Sequence, residues 1–188
     1  MTEKDELRKK YKLLRSQLPE AEKRAADQKL TEAICAMKEF RAADHVLLFA
    51  SFGSEASTDE IFHRAVSMGK KIYYPRVTGE DLVFYRIESE HQLLKGYFGI
   101  REPDLSHYEL SRYLPEKEEG AFVLVPGLAF DRRKYRIGYG RGFYDRFLQE
   151  FNGFSCGFCY TVQICEQNLQ LSDTDLPVMA VTTERGIL

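Results

Sequence analysis

Two short runs, His45–Ser51 (HVLLFAS) and Ala121–Val125 (AFVLV), constrain the chain most. Neither alternates apolar with polar residues. That is the form of a buried strand, and such strands belong to parallel sheets covered by helices. The segments around them have a different period. Leu7, Tyr11, Leu14 and Leu18 recur at helical spacing before Pro19, and Leu30, Ile34 and Met37 continue the pattern in a second helix. After the first run, Ser57 and Glu60 have capping-box spacing and predict the start of a helix that ends near Gly69. Lys71–Pro75 reads as a second strand and Leu82–Ile87 as a third. This β-α-β order predicts an α/β fold with a mainly parallel sheet flanked by helices. Residues 88–120 are more polar, carry Pro103 and Pro115, and read as loops with short helices. Gly127–Gly142 reads as a long loop, Phe143–Phe151 as a helix and Phe154–Tyr160 as another strand, with the last strand inside Pro177–Thr183. No linker, repeat or low-complexity segment divides the 188 residues, so one domain spanning 1–188 is expected.

Composition excludes several classes. With 44% apolar and 13% aromatic residues the chain can bury a substantial core. No apolar run approaches the roughly 20 residues that span a bilayer, and Met1–Leu18 is studded with Lys and Arg and lacks a secretory signal core. Four cysteines are too few for a disulfide scaffold. A reduced, cytoplasmic protein with no membrane partner is the expectation. Lys and Arg number 27 against 29 Asp and Glu, a balance that argues against a nucleic-acid partner. Cys156 and Cys159 have redox or zinc spacing, but within a strand pattern positions i and i+3 point to opposite faces, so they read as buried structural thiols. The histidines at 45, 63, 91 and 107 show no ligand spacing.

The informative segment runs from Val125 to Arg146. Gly138, Gly140 and Gly142 alternate after a buried strand and just before a helix. Glycine permits positive φ and close approach of backbone to a ligand, and a helix N-terminus offers free N–H groups to an anion. Six of the 27 basic residues lie in the fifteen positions Arg132–Arg146, where even spacing would place about two. The pattern lacks the Gly-Lys-Ser/Thr ending of a P-loop. It also departs from the dinucleotide fingerprint, because Phe143 stands where the third glycine is needed. Taken alone the spacing fits an anion site, a nucleotide site among them, or a solvated loop whose glycines serve turns.

The run PGLAFDRRKYRIGYGRGFYDRFL closely resembles the signature of the 5-formyltetrahydrofolate cyclo-ligase (methenyltetrahydrofolate synthetase) family. The resemblance extends to Lys4-Asp5-Glu6-Leu7-Arg8, to Glu55 followed by Thr58, to Phe84–Ile87, to Gly99–Pro103 and to Asp175 before the last strand. It departs at Lys134, where many members have glycine, at Thr174-Asp175, where His-Asp is frequent, and at Met179, where an acidic residue is common.

The resemblance implies a three-layer α/β fold similar to that of sugar-phosphate isomerases and coenzyme A transferases. It implies an ATP-dependent closure of 5-formyltetrahydrofolate to 5,10-methenyltetrahydrofolate through a phosphorylated formyl intermediate, with ADP and phosphate released. ATP would meet Lys4, Arg8, Lys134, Arg136, Gly138, Tyr139, Gly140, Arg141, Gly142, Phe143 and Tyr144. The folate, with or without a polyglutamate tail, would meet Ala50, Glu55, Leu82, Phe84, Phe98, Tyr139, Phe143 and Tyr144. Arg136, Arg141 and Glu55 would carry the chemistry, and Asp145 with Asp175 would hold Mg²⁺. A monomer is expected. An isomerase or transferase acting without ATP turnover, and a non-catalytic nucleotide- or RNA-binding module, are the competing classes.

Overall fold

The computed structural model describes residues 2–96, 99–115 and 119–188. Helices α1 (Glu3–Ser16), α2 (Glu20–Ala36) and α3 (Lys38–Ala42) precede strand β1 (His45–Leu47), helix α4 (Asp59–Ser67) and a hairpin of β2 (Lys71–Thr78) with β3 (Asp81–Ile87). A short pair follows, β4 (Leu93–Lys95) and β5 (Arg101–Pro103). Then come β6 (Ala121–Val125), β7 (Ala129–Asp131), β8 (Arg136–Ile137) and helix α5 (Phe143–Glu150). The chain finishes with β9 (Phe154–Phe158), β10 (Ile164–Cys165), β11 (Ala180–Thr183) and β12 (Gly186–Ile187).

Among the described residues seven strands form one sheet in the order β12-β11-β9-β6-β1-β2-β3. The central pairings β2–β1, β1–β6, β6–β9 and β9–β11 are parallel. The edge pairings β2–β3 and β11–β12 are antiparallel. From β1 the chain builds one way through β2 and β3, and from β6 it builds the other way through β9 and β11. The switch point therefore falls between β1 and β6, where open α/β sheets hold ligands beyond the C-terminal ends of their strands.

Alternation along the central strands feeds two cores. In β6, Phe122 and Leu124 join Ile34, Phe40 and Phe62 under α2, α3 and α4. Ala121, Val123 and Val125 face the other way, toward Phe147, Leu148 and Phe151. Phe122 stacks on Phe154 at 5.7 Å and meets Phe40 edge-on at 5.5 Å, both favourable ring geometries. A second sheet, β10-β7-β8, carries a smaller cluster in which Tyr11 and Leu7 of α1 pack on Ala129, Ile137 and Leu169. No helix among the described residues is long and apolar enough to cross a membrane.

Several local expectations give way to tertiary contacts. The Ser57–Glu60 capping box does not form, since α4 begins at Asp59 with Thr58 as its N-cap and no side-chain cap bond. The fully buried Thr58 hydroxyl donates instead to the Phe49 carbonyl at 2.7 Å and ties the loop back to β1. The second helix stops at Ala36, and the extended Met37 starts the separate helix α3. Within the expected loop 127–142, residues 129–137 form a β-hairpin, and 138–142 remain a loop. Buried Asp131 organises the hairpin turn, accepting the backbone N–H groups of Arg133, Tyr135 and Leu169 and the guanidinium of Arg133. The region 88–120 holds the β4–β5 pair besides its short helix. In α1 the inward stripe turns through Tyr11 and Arg15, and Leu14 is exposed.

Gly157 lies in the middle of β9, and a Cβ there would sit 2.5 Å from the buried Phe130 ring. Gly157→Ala should lower stability by about 1–3 kcal/mol through overpacking. Urea denaturation checks this, with a lower midpoint at an unchanged slope.

Candidate active site

Helix α1 brings one charged face to the C-terminal side of the sheet. Thr2 caps it reciprocally with Asp5. Lys4, Arg8, Tyr11 and Arg15 follow at intervals that place them on one face. Lys4 Nζ lies 2.8 Å from Asp175 Oδ2. Arg8 Nε donates to the Gly138 carbonyl at 3.0 Å, and its Nη1 pairs with Asp5 at 2.7 Å. Tyr11 packs against the small sheet.

The glycine loop that receives this helix needs its glycines. Gly140 has φ +90°, and a Cβ there would lie 3.1 Å from Arg8 Nη2. Gly142 has φ +67° and is the N-cap of α5 with no side-chain cap bond, so the first N–H groups of that helix face the loop. Lys134, in the turn between β7 and β8, also has positive φ, 71°. Its amine donates to the Met179 carbonyl at 2.9 Å. Arg141 is exposed on the loop, and Phe143 lies under the Arg146 guanidinium at 5.4 Å.

Arg136 is a buried cation of the site, its side chain only 4% exposed. It donates to Asp145 Oδ1 at 2.9 Å and to the Leu176 carbonyl at 3.2 Å. The Leu176 N–H returns to Asp145 Oδ1 at 3.3 Å, which brings Asp145 beside the residue that follows Asp175. Burial draws the Arg136 guanidinium below its ordinary value, opposed by Asp145 and Asp175. For Asp175 burial pulls the other way, but bonds from Lys4 and Ser172 prevail and hold the carboxyl below its usual range. Two neighbouring carboxylates are oxygen donors of the kind Mg²⁺ takes while keeping waters and phosphate oxygens, so the donor set fits that ion. Among the described residues no three His, Cys, Asp or Glu side chains converge as a closed metal cage.

Glu55 lies on the loop after β1 and is 6% exposed. Its Oε2 accepts the Phe52 N–H at 3.2 Å, its Oε1 accepts the Tyr139 hydroxyl at 3.2 Å, and Arg15 Nη1 stands 3.7 Å from Oε1. Burial raises its carboxyl above the ordinary range, with Arg15 the strongest opposing influence. Nearby, the Tyr144 hydroxyl is buried without a hydrogen-bond partner among the described residues. Burial raises its pKa, and the charge of Glu55 adds to the rise. Phe84 is 2% exposed and packs on Phe147 at 4.7 Å and Tyr144 at 6.5 Å, so its ring belongs to the core. Leu82 is half-buried on the same strand, and Ala50 is buried beyond the end of β1. Phe98 lies outside the described residues.

Two cavities, of about 330 and 570 Å³, open elsewhere. The first lies by Ala121 and Phe154, at the N-terminal ends of β6 and β9, and the second lies between α2 and α4. The charged cluster at the strand C-terminal ends is the better site on topology and chemistry. Cys156 and Cys159 are free and buried in different cores, on opposite faces of the sheet. Burial pushes the Cys156 thiol up to about 12, so it is held protonated near neutral pH.

The model of the 5-formyltetrahydrofolate cyclo-ligase family matches residues 1–184. The chain belongs to this family. It is 29% identical over 184 residues to the 5-formyltetrahydrofolate cyclo-ligase of Haemophilus influenzae, covering 95% of this chain and 96% of the relative. The NMR structure of the 5,10-methenyltetrahydrofolate synthetase of Aquifex aeolicus superposes with a TM-score of 0.86 at 33% identity, over 99% of this chain and 92% of that one. The synthetase of Mycoplasma pneumoniae shares the fold, with a TM-score of 0.76 at 20% identity over 97% and 99% of the two chains. The chain is thus an enzyme of the cyclo-ligase family.

One residue of this cluster escapes a sequence reading. Arg15 is buried beside Glu55, yet in the sequence it is one more basic residue on a charged helix. Its position seven residues after Arg8, on the same helical face, is the signal that could have found it.

Removing the partner of the buried Arg136 leaves an unpaired cation. Asp145→Leu should lower stability by about 3 kcal/mol, and adding Arg136→Met should recover most of the loss. Chemical denaturation of the two variants checks both.

Proposed function

We propose that the chain closes 5-formyltetrahydrofolate to 5,10-methenyltetrahydrofolate with conversion of ATP to ADP and phosphate, as a single catalytic domain in the reducing cytoplasm. The names of its relatives support the folate reaction. One observation carries the ATP-coupled form. Tyr139 has its backbone in the glycine loop, between Gly138 and Gly140, and its hydroxyl on Glu55. The loop we assign to the phosphates and the buried carboxylate we assign to the folate ring are therefore adjacent, and the coupled reaction needs that adjacency.

An amide oxygen is a poor leaving group until it is phosphorylated. In the proposed path the formyl oxygen attacks the γ-phosphorus, the bond from that phosphorus to the β–γ bridging oxygen breaks, and ADP departs. N10 then attacks the formyl carbon and loses its proton, the carbon–oxygen bond breaks, and phosphate leaves. The work of such a site is positioning and charge stabilisation. Lys4, Arg8, Lys134 and Arg141 would supply positive charge to the phosphates, which the loop N–H groups would receive, and Arg136 pairs with Asp145. Asp145 and Asp175 would hold Mg²⁺, which neutralises phosphate charge when bound. Glu55 supplies the acceptor for folate N–H groups, the departing N10 proton among them. Tyr139, Phe143 and Tyr144 would contact the substrates through their rings, and the Tyr144 hydroxyl, which lacks a partner among the described residues, would be a donor to them.

With ATP, Mg²⁺ and 5-formyltetrahydrofolate present, methenyl product and ADP should form in equal amounts, each requiring every component. Absence of folate-dependent ADP would overturn the reading. Arg141→Ala should raise the KM for ATP about tenfold or more, the worth of one charged hydrogen bond. Glu55→Gln should lower turnover about a hundredfold with ATP binding retained, measured by steady-state kinetics and equilibrium nucleotide binding.

A further inference from the structure

We propose that Arg15 is a positioning residue of this site. From α1 it holds the Glu55 carboxylate and the Tyr139 hydroxyl in one arrangement, and so sets the loop after β1 against the glycine loop. This deepens the cyclo-ligase reading, in which Glu55 meets the folate.

The exposure pattern on α1 is the first observation. Leu13 and Leu14 are 57% and 38% exposed, while Arg15 beside them is 3% exposed. A helix stabilised by burial would turn the leucines inward, and a buried arginine contributes little net stability against an apolar replacement. The geometry is the second observation. Nε donates to Ser54 Oγ at 3.0 Å, Nη2 donates to the Tyr139 hydroxyl at 3.1 Å, and Nη1 stands 3.7 Å from Glu55 Oε1. Each nitrogen of the planar fork addresses a different side chain on two separate loops, which an ammonium on a flexible stem does not reproduce.

The fork also sets hydrogen-bond polarity. Arg15 has donors only, so the Tyr139 oxygen must accept from it, and the one Tyr139 hydrogen is left to donate to Glu55. Glu55 is thereby addressed as an acceptor, which favours its ionised form. The other groups that bear on it are few. Lys23 of α2 adds a weaker positive influence, the Phe52 N–H reaches the opposite oxygen, and Tyr139 and Tyr144 are neutral near pH 7. Burial acts against ionisation, so without Arg15 the carboxyl should protonate at a higher pH. The ionised fraction would then be lost earlier as pH falls, and the acid limb of folate turnover would move upward.

The test uses the full chain as wild type, Arg15→Met and Arg15→Lys. Turnover is measured against pH at saturating ATP, and the Glu55 carboxyl is titrated by carbon-13 NMR, with its resonance assigned by Glu55→Gln. Arg15→Met should lower kcat tenfold or more, leave the KM for ATP within twofold, and raise both the acid limb and the Glu55 midpoint by about one unit or more. Arg15→Lys should restore the midpoint but only part of kcat. A folded Arg15→Met with an unshifted Glu55 midpoint and kcat within twofold of wild type overturns the proposal. If Arg15→Met does not fold, Arg15→Lys decides: full wild-type kcat overturns the role of the fork, and reduced kcat at unchanged KM for ATP supports it. If wild type turns over no folate, the cyclo-ligase reading fails. The NMR midpoint then still decides whether Arg15 positions Glu55.

Discussion

The charged face of α1 laid across the C-terminal side of the sheet is the interaction on which the site depends. Little apolar surface holds this helix, since only Tyr11 and Arg15 are buried along it. Lys4 on Asp175, Arg8 on the Gly138 carbonyl and Arg15 on the Ser54–Glu55–Tyr139 group supply the rest. Exposed ion pairs are weak, so the contact with the half-exposed Lys4 alone would not seat a helix. The buried fork of Arg15 and the apolar contact of Tyr11 make the seating definite. The same contacts bring cations to the glycine loop, where Arg8 lies close against Gly140.

That arrangement depends in turn on the sheet. β1 and β6 are buried on both faces and pair in parallel, so their C-terminal ends lie side by side. The loop after β1 carries Glu55, and the segment after β6 carries the β7–β8 hairpin and the glycines. Residues 55 and 139 are 84 positions apart in the chain and 3.2 Å apart at the Tyr139 hydroxyl. The buried Asp131 and the left-handed turn at Lys134 give the hairpin a fixed shape, and Arg136 carries that shape to Asp145 at the start of α5.

The large features of this fold are legible in the sequence because they are repeated locally. Five consecutive apolar residues at 121–125 match β6 residue for residue, and the helical period before Pro19 marks α1. β7 and β8 were not legible, since strands of three and two residues are too short to show a period. The Ser57–Glu60 spacing does not become a cap because α4 starts one residue later, with Thr58 as its N-cap and the Thr58 hydroxyl turned to the Phe49 carbonyl. Leu14 is a second such case. Its spacing fits an apolar stripe, but the helix is rotated to put Arg15 inside.

The fold class, the alternation of strand and helix, and the glycine-rich basic loop with its family signature are all legible in the residue order. Each is written in neighbouring residues, through periodicity, positive-φ permissiveness and local charge density. Tertiary structure alone decided which charges are paired. It set Lys4 on Asp175, Arg136 on Asp145 and Arg15 beside Glu55, and it separated Cys156 from Cys159 across the sheet. The physical reason is that burial and partnership depend on which chain segments meet at a strand end. A basic residue on a helix reads the same in sequence whether water or a carboxylate lies opposite it.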